Sequence, residues 1–293
     1  MQQNLKGKRV LLTGASGGIG QQLTQRLAQE GARLALVAYP GVDLPLLSMA
    51  TAVSGQPAVH LVSDLRVPSE WPRIADWCIA ELGGVDVLIN NAGIEFTRPF
   101  HELPESAVAE VLRVNLEAPM MLTHALLPSM LAQGTGHVVN MSSLAGCAGP
   151  ALQEPYAATK AALRGFTASL RASYRGSGVS ASVICPGFVE AGIYPRICAA
   201  AGRSAPRLLG AIPVDRVCDA VLRAIQTDAP EIIVSKFPVR PILALTALAP
   251  RCGEWLANRL GGNDFFRAAA SAADAKKPRP SDGSTNVGNS SAC

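Results

Sequence analysis

The chain alternates short apolar runs with longer segments of helical periodicity. The runs are rich in Val, Ile and Leu and occupy residues 9–13, 33–37, 58–62, 85–90, 137–141, 179–184 and 231–234. They lack the strict polar alternation of half-exposed strands, so each predicts a strand that is buried on both faces. The segments between them are long enough for crossover helices, which we expect at residues 18–30, 105–133, 156–175 and 214–226.

This order of elements predicts an α/β fold: a Rossmann-like, doubly wound parallel sheet of about seven strands flanked by helices. In the second helical segment, Pro119 and Pro128 are expected to kink or divide the helix, because proline removes a backbone donor. We expect a single catalytic domain over residues 1–236, including a mobile lid over about residues 193–213. An apolar extension over residues 237–272 and a disordered, Ser- and Asn-rich tail over residues 273–293 would follow.

Composition narrows the classes of protein. A hydrophobic content of 48% allows a sizeable core, and a net charge of +4 without a long basic run does not indicate nucleic-acid binding. The seven cysteines are scattered without a CxxC pair, which favours reduced thiols, and the four histidines lack metal-ligand spacing, so no metal is expected. Neither a signal peptide nor a run of ~20 apolar residues is present, and we expect a cytoplasmic protein.

A glycine-rich turn follows the first strand directly. Residues 13–20 read TGASGGIG, and a helical segment comes next. Glycines allow a tight turn and close backbone approach, while the free N–H groups and positive dipole end of the helix bind an anion such as a pyrophosphate. The spacing of Gly14, Gly18 and Gly20 is GxxxGxG rather than the commoner GxGxxG, and a purely structural turn would also explain it.

Two further motifs carry possible chemistry. Residues 90–93 read NNAG and follow the fourth strand, at the sheet edge where ligands bind, although a plain asparagine turn is the alternative. Tyr156 and Lys160 are spaced i, i+4 in a helical segment, which puts both side chains on one face. A neighbouring ammonium should lower the pKa of a tyrosine, so this pair suits a general acid/base. Alone, YxxxK also occurs by chance on exposed helices.

The order of these motifs resembles the short-chain dehydrogenase/reductase family over roughly residues 7 to 235. The shared features are TGASGGIG at 13–20, Asp64, NNAG at 90–93, Asn115, a Ser-Ser pair at 142–143, YAATK at 156–160 and PG at 186–187. The resemblance implies an NAD(P)-dependent oxidoreductase that transfers a hydride between nicotinamide and a carbonyl or alcohol, with Tyr156 as general acid/base.

The resemblance also assigns the other catalytic roles. Ser143 lies thirteen positions before Tyr156 and would polarise the substrate oxygen. Ser142 is the alternative serine, but one residue earlier along a strand it should face the other way. Lys160 would bind the nicotinamide ribose and tune Tyr156, and Asn115 would help hold a water between Lys160 and bulk solvent.

A cofactor cleft is implied in the same way. The residues expected to line it are Gly14, Ser16, Gly17, Gly18, Ile19, Gly20, Tyr39, Asp64, Leu65, Asn91, Ala92, Gly93, Tyr156, Lys160, Pro186, Gly187 and Val189. Asp64 would bind the adenine amino group. Ala191 stands where the family often has a Thr or Ser beside the nicotinamide amide. No carboxylate ends the second strand, where Ala38 and Tyr39 stand, so NADP is favoured over NAD, although the family's usual basic residues for NADP are also missing. Ser16 could donate to its 2′-phosphate.

The expected substrate pocket is apolar apart from Glu95. Its edges are predicted to be Ile94, Phe96, Leu144, Cys147, Leu152, Phe188 and Ile193. We therefore expect a small hydrophobic carbonyl or alcohol as the substrate. The alternative function is a non-catalytic nucleotide-binding or redox-sensing protein on the same fold. The presence of Ser143, Tyr156 and Lys160 together favours the enzyme.

The apolar run of residues 241–260 has three interpretations. It could pack on the core as an extra helix, lie on a membrane surface with Arg240, Arg251 and Arg259 at the headgroups, or form a subunit contact. A membrane-docked scaffold is the corresponding third class of function. The family commonly forms homodimers or homotetramers through the helices that hold Asn115 and Tyr156.

Overall fold

The computed structural model describes residues 4–41, 58–206 and 209–275, which form a parallel sheet with helices on both faces. The seven strands lie in the order β3-β2-β1-β4-β5-β6-β7, and neighbours pair in parallel throughout. The strands are β1 Arg9–Thr13, β2 Arg33–Ala38, β3 Ala58–Val62, β4 Val87–Asn90, β5 Gly136–Met141, β6 Val179–Pro186 and β7 Glu231–Val234. The predicted doubly wound fold is confirmed.

The helices are numbered in chain order over the described residues. They are α1 Gly18–Gln29, α2 Glu70–Leu82, α3 Glu105–Leu112, α4 Ala118–Gln133, α5 Glu154–Ser173, α6 Ile193–Ala201, α7 Val214–Thr227, α8 Arg240–Leu248, α9 Pro250–Arg259 and α10 Gly262–Ala275. A π-helical turn over Arg113–Glu117 joins α3 to α4, and short 3₁₀ turns lie at Phe100–Glu102 and Leu144–Gly146.

Two apolar layers hold the sheet between the helices. On one face, α1 and α7 bury side chains such as Leu23 and Val217 against alternate residues of the strands. On the other face, α2 and α4 bury side chains such as Ile74 and Leu126. Because both faces of the central strands are covered, their side chains are almost continuously buried, which explains the uninterrupted apolar runs in the sequence.

The prediction that proline divides the long helical segment is wrong for Pro128. This residue lies inside α4, which continues to Gln133 because Leu122, Leu126 and Met130 are fully buried around it. The interruption lies earlier, at the π-helical turn that contains Asn115. Buried apolar contacts outweigh the loss of one backbone hydrogen bond here.

The C-terminal extension consists of three helices that differ in packing. Phe265 and Phe266 of α10 are buried against Phe188 and helix α6, although the sequence analysis placed the extra packed helix earlier, within residues 241–260. By contrast, α8 buries no residue and α9 buries only Gly253. The predicted disordered tail begins too early, because α10 continues to Ala275, and residues 276–293 lie outside the described ranges. No helix of the described ranges is both long and apolar enough to cross a membrane.

Candidate active site

A cavity of about 1020 Å³ opens along the carboxyl edge of the sheet, across the point between β1 and β4 where the strand order reverses. Its lining includes all the residues that the sequence assigns to the cofactor, together with Ser143. Asn115 is not among the lining residues and lies just behind the wall. Residues far apart in sequence therefore meet here because parallel strands end at one edge.

Three glycines of the glycine loop, Gly14, Gly18 and Gly20, leave no room for a side chain. A Cβ on Gly20 would lie 2.0 Å from the carbonyl oxygen of Gly14, and a Cβ on Gly18 would lie 2.8 Å from Cβ of Ala191. Gly14 adopts φ +65°, a left-handed conformation that favours glycine. Within the described residues, no side chain caps the first turn of α1, so its N–H groups face the cavity as donors. This cradle fits a pyrophosphate.

The NNAG turn is fixed to the end of β1. The Thr13 hydroxyl accepts from the backbone N–H groups of Asn91 and Ala92 at 3.1 and 3.2 Å. The Asn91 amide donates in turn to the carbonyls of Thr13 and Gly14, both at 3.1 Å. Side chains thus replace the missing strand hydrogen bonds beyond the sheet edge and hold the cavity floor in place.

At the end of the cavity beside Tyr39 and Asp64, Arg66 is a lining residue that the sequence analysis missed. Its guanidinium donates to the Asp64 carboxylate at 2.7 Å, which lowers the pKa of Asp64, and lies 3.6 Å from Glu110. It also stacks over the Tyr39 ring, 5.1 Å from the ring centroid, and donates to the Tyr39 hydroxyl. Asp64 therefore faces the cavity as part of an ion pair. The signal available in the sequence was a cation two residues after Asp64.

The two serines of the β5 end take different positions, as the strand alternation predicts. Ser142 is buried and its hydroxyl donates to the carbonyl of Lys160 at 2.7 Å. Ser143 lines the cavity, accepts from the Ala145 N–H at 3.1 Å and donates to the carbonyl of Pro186 at 3.4 Å, and its hydroxyl lowers the pKa of Tyr156. Ser143 is therefore the serine available to a substrate.

Tyr156 and Lys160 share one face of α5, and Nζ of Lys160 lies 5.6 Å from the centroid of the Tyr156 ring. Nζ donates to the carbonyl of Met141 at 2.8 Å. Burial lowers the pKa of Lys160 to about 8. The pKa of Tyr156 rises to about 12, because burial and the charge of Glu95 outweigh the opposite effect of the Ser143 hydroxyl. The prediction that Lys160 lowers the pKa of Tyr156 is therefore wrong. Burial disfavours the charged form of each residue, the phenolate of Tyr156 and the ammonium of Lys160.

Asn115 lies in the π-helical turn and is fully buried. Its side chain accepts from the N–H of Ile94 at 2.9 Å and donates to the carbonyl of Ile94 at 2.8 Å. A Cβ on Gly93 would lie 3.4 Å from Nζ of Lys160 and 3.5 Å from Oδ1 of Asn115. The Asn115 amide also donates to the Thr159 hydroxyl of α5 at 3.4 Å, so the π-helical turn connects the chain after NNAG to α5 beside Lys160. Single π-helical turns are frequent at functional sites.

The segment after Pro186 connects β6 to helix α6. The N–H of Gly187 donates to the carbonyl of Val234 at 2.8 Å, and Val189 pairs with Ile212 in a short parallel bridge. Ala191 lies beside Gly18 of the glycine loop, since a Cβ on Gly18 would come within 2.8 Å of Cβ of Ala191. The predicted lid would begin at α6, whose residues Ile193, Tyr194, Arg196 and Ile197 line the cavity.

Most of the predicted pocket edges line the cavity, but two do not. Ile94, Phe96, Leu144, Phe188, Ile193 and Glu95 lie on its wall. The thiol of Cys147 instead donates to the carbonyl of Ser143 at 3.9 Å. Leu152 adopts φ +64° and its carbonyl accepts from the N–H of Arg98. The prediction for these two residues is wrong because the 3₁₀ turn and the loop before α5 direct them away from the cavity.

Glu95 is a partly buried carboxylate whose charge acts on Tyr156. It accepts from Thr97 at 2.8 Å and from the Gln153 amide at 3.1 Å, and burial raises its pKa. The far end of the cavity is formed by the extension, which the sequence analysis did not place there. Its lining side chains there include Val239, Leu243, Thr246, Leu256 and Phe266.

The geometry is that of a dinucleotide-binding fold with a hydrogen-bonding serine, a buried tyrosine and a lysine beside the cofactor cradle. The chain matches the family model described as short chain dehydrogenase over residues 8–199. It belongs to this short-chain dehydrogenase/reductase family, whose members are oxidoreductases that act between CH–OH and C=O groups.

Relatives cover most of the chain. The ketoacyl reductase HetN of Nostoc sp. is 37% identical over 248 residues, 84% of each chain. The 1-deoxy-11-beta-hydroxypentalenate dehydrogenase of Streptomyces exfoliatus is 31% identical over 231 residues, 77% of this chain and 82% of that relative. A solved metagenomic short-chain oxidoreductase in complex with NADP is 33% identical with a TM-score of 0.66, covering 79% of this chain and 98% of that one.

Proposed function

We propose that this protein is an NADP-dependent reductase of hydrophobic carbonyl compounds, with Tyr156 as its general acid. The observation that carries the proposal is the meeting of Ser143, Tyr156 and Lys160 in one cavity, whose wall away from the glycine loop is mostly apolar. Related proteins named as a ketoacyl reductase and a pentalenate dehydrogenase support an apolar carbonyl or alcohol as substrate.

Tyr156 and Ser143 have different roles in the proposed reduction. NADPH, when bound, supplies the hydride that reduces the carbonyl carbon. Tyr156 donates its phenolic proton to the carbonyl oxygen, and because its pKa is about 12 the phenol stays protonated at neutral pH. Ser143 donates a hydrogen bond to the same oxygen and stabilises the charge that develops on it. Oxidation of the alcohol is the reverse.

After the reduction, Lys160 returns a proton to Tyr156. Its pKa of about 8 lets it lose and regain a proton near neutral pH. Asn115 fixes the backbone beside it and borders the space in which a water can connect Lys160 to solvent. Burial of Lys160 thus helps it to act as a proton carrier as well as a binder of the nicotinamide ribose.

The proposed preference for NADP depends on the residues at the end of the cavity that would bind the adenosine half of the cofactor. The end of β2 carries no carboxylate to repel a 2′-phosphate, and Arg66 presents a cation against Tyr39, the residue directly after β2. Ser16 lines the same region and can donate to the phosphate. The related structure with bound NADP supports the same choice. NAD is the alternative.

Binding constants test this choice. We expect Arg66→Gln to weaken NADPH binding at least tenfold, measured by quenching of protein fluorescence, with little change for NADH. Arg73→Gln is the matched control, because Arg73 pairs with Glu70 and does not line the cavity. Equal losses for both cofactors would show that Arg66 serves the adenine alone. A tenfold preference of the unaltered protein for NADH would contradict the choice of NADP.

The substrate class is tested by NADPH consumption. Medium-chain aldehydes, ketones and 3-oxoacyl thioesters are expected to be reduced much faster than sugars or short polar keto acids, because the wall of the cavity away from the glycine loop is mostly apolar. Preference for the polar compounds would refute the proposed substrate class. NADPH binding without turnover of any of these carbonyls would favour the nucleotide-binding alternative.

We also propose assembly into a homodimer or homotetramer through α4 and α5. Met120 and Met121 on α4 are about two-fifths exposed, which suits a surface that a second copy covers. Light scattering measures the assembly, and Met121→Glu is expected to shift it toward the monomer. An unchanged mass for this variant would place the subunit contact elsewhere.

A further inference from the structure

The helical hairpin formed by α8 and α9 buries very few of its own residues. The two helices pack tightly on each other, since a Cβ on Gly253 would lie 2.5 Å from Thr246. Despite this contact, no residue of α8 is buried. The inner side of the hairpin, including Leu243 and Leu256, forms part of the cavity wall. One side therefore faces the site, while the other is presented to the outside.

The outer side carries large apolar groups. Leu248 is 86% exposed and Trp255 is 62% exposed, and both lie outside the cavity lining. Leu245 and the preceding Phe237 are each more than two-fifths exposed and also lie outside the cavity lining. These side chains are concentrated in one short segment, which is more than the single scattered hydrophobic residues of an ordinary surface.

Cations accompany these apolar groups. Arg251, Trp255 and Arg259 are spaced i, i+4, i+8 and so lie along one side of α9, with the Arg259 guanidinium 5.5 Å from the Trp255 ring centroid. Residues 236–260 contain four basic side chains and one acidic one, Glu254. A tryptophan flanked by arginines beside exposed leucines matches the chemistry of a lipid headgroup region over acyl chains.

We propose that the α8–α9 hairpin docks this protein on anionic lipid surfaces, with Leu248 and Trp255 inserted at the headgroup boundary and the arginines against lipid phosphates. The charge of the hairpin selects an anionic bilayer, and its apolar tip supplies the insertion. Resting on the proposed function, this docking also places the apolar end of the cavity beside the phase in which hydrophobic carbonyl compounds concentrate.

The test is co-sedimentation of the full chain with vesicles, without substrate. We expect binding to vesicles that contain phosphatidylglycerol, at least tenfold weaker binding to phosphatidylcholine alone, and weakening by added salt. The double variant Leu248→Glu with Trp255→Glu should lose at least tenfold in binding to the anionic vesicles. Phe100→Glu is the matched control, because Phe100 is 53% exposed on a turn outside the hairpin and the cavity.

Each outcome separates the docking from the proposed function. Unchanged NADPH affinity and circular dichroism show that the double variant is folded. Failure of the unaltered protein to sediment with anionic vesicles overturns the docking and leaves the reductase proposal standing. Equal vesicle binding by the double variant overturns it as well. A dimer in light scattering that the double variant abolishes, without vesicle binding, shows that a second copy covers the hairpin instead.

Discussion

The carboxyl edge of the sheet and the α8–α9 hairpin line the same cavity, yet they are built in opposite ways. At the sheet edge, Lys160 and Asn115 are each held by hydrogen bonds to backbone groups of neighbouring segments. In the hairpin, every residue of α8 is at least partly exposed, and Gly253 is the buried residue of α9.

This difference follows from what each region is proposed to do. Groups that act on reacting atoms must be held within a fraction of an ångström, so they need rigid, fully bonded surroundings. A wall that accommodates an apolar chain needs only shape and low polarity, and regions with few buried contacts are the ones that open most easily. The stability and activity of the protein should therefore be sensitive to small changes at the sheet edge and tolerant of changes in the hairpin.

The largest expected effect on the free energy of unfolding concerns α10, the helix of the extension that packs against α6. Phe265 of α10 is 1% exposed and packs edge-on to Phe188 at 5.6 Å between ring centroids. Phe265→Ala should lower the free energy of unfolding by about 3–5 kcal/mol, since it removes a fully buried ring. Leu248→Ala on the hairpin should change it by less than about 0.5 kcal/mol. Urea denaturation measures both, and equal losses would remove the distinction between the two regions.

A second prediction concerns pH and the buried His137 of β5. Burial lowers its pKa from 6.5 to about 4, so the native state keeps it neutral while the unfolded chain protonates it first. This contribution to stability is present above pH 6.5 and is lost as the pH falls from 6.5 to 4, by about 3 kcal/mol in total. Its Nε2 lies 2.9 Å from the Ser182 hydroxyl.

His137→Gln tests this contribution. The variant should lose less stability than the unaltered protein between pH 7 and about 4.5 in parallel urea denaturations, since glutamine has no group that titrates in this range. Matching pH dependences would show that other groups control the acid response. The hairpin offers no comparable group, because all its ionisable side chains lie at the surface.

The smallest of these stability effects is expected in the glycine loop, where binding is the more sensitive measurement. Gly20→Ala places a methyl group 2.0 Å from the Gly14 carbonyl oxygen, so the loop must shift, at a cost of about 1–3 kcal/mol, and NADPH affinity should fall sharply. Gly165→Ala on α5 meets no atom within 4 Å and should stabilise the protein by up to about 1 kcal/mol. NADPH titrations of both proteins check this. Unchanged affinity for Gly20→Ala would show that the cradle does not hold the cofactor.

The sequence predicts the sheet well because both faces of each central strand are buried, so apolar runs mark the strands directly. It also carried a signal for α2 that the analysis did not use. Trp71, Ile74, Ala75, Cys78 and Leu82 repeat at helical spacing and are all buried. Pro72 in the first turn does not prevent this helix, because the N–H groups there lack partners in any case.

The parts of the candidate site that the sequence could not predict depend on neighbours from distant segments. Arg66 reaches Tyr39 only because β2 and β3 pair side by side. The pKa of Tyr156 follows from burial and from Glu95 rather than from the lysine four residues away. Likewise, nothing in the order of motifs indicated that the inner side of the hairpin would close one end of the cavity.

The central claim is that Tyr156 supplies the proton at a site that NADPH occupies. The direct measurement compares NADPH oxidation by the unaltered protein and by Tyr156→Phe with a medium-chain ketone or aldehyde, alongside NADPH affinity for both. We predict that the variant loses at least about a hundredfold in rate, since its ring cannot donate a proton, while its NADPH affinity is retained. A variant that turns over at the rate of the unaltered protein would contradict the assignment of Tyr156 as the acid.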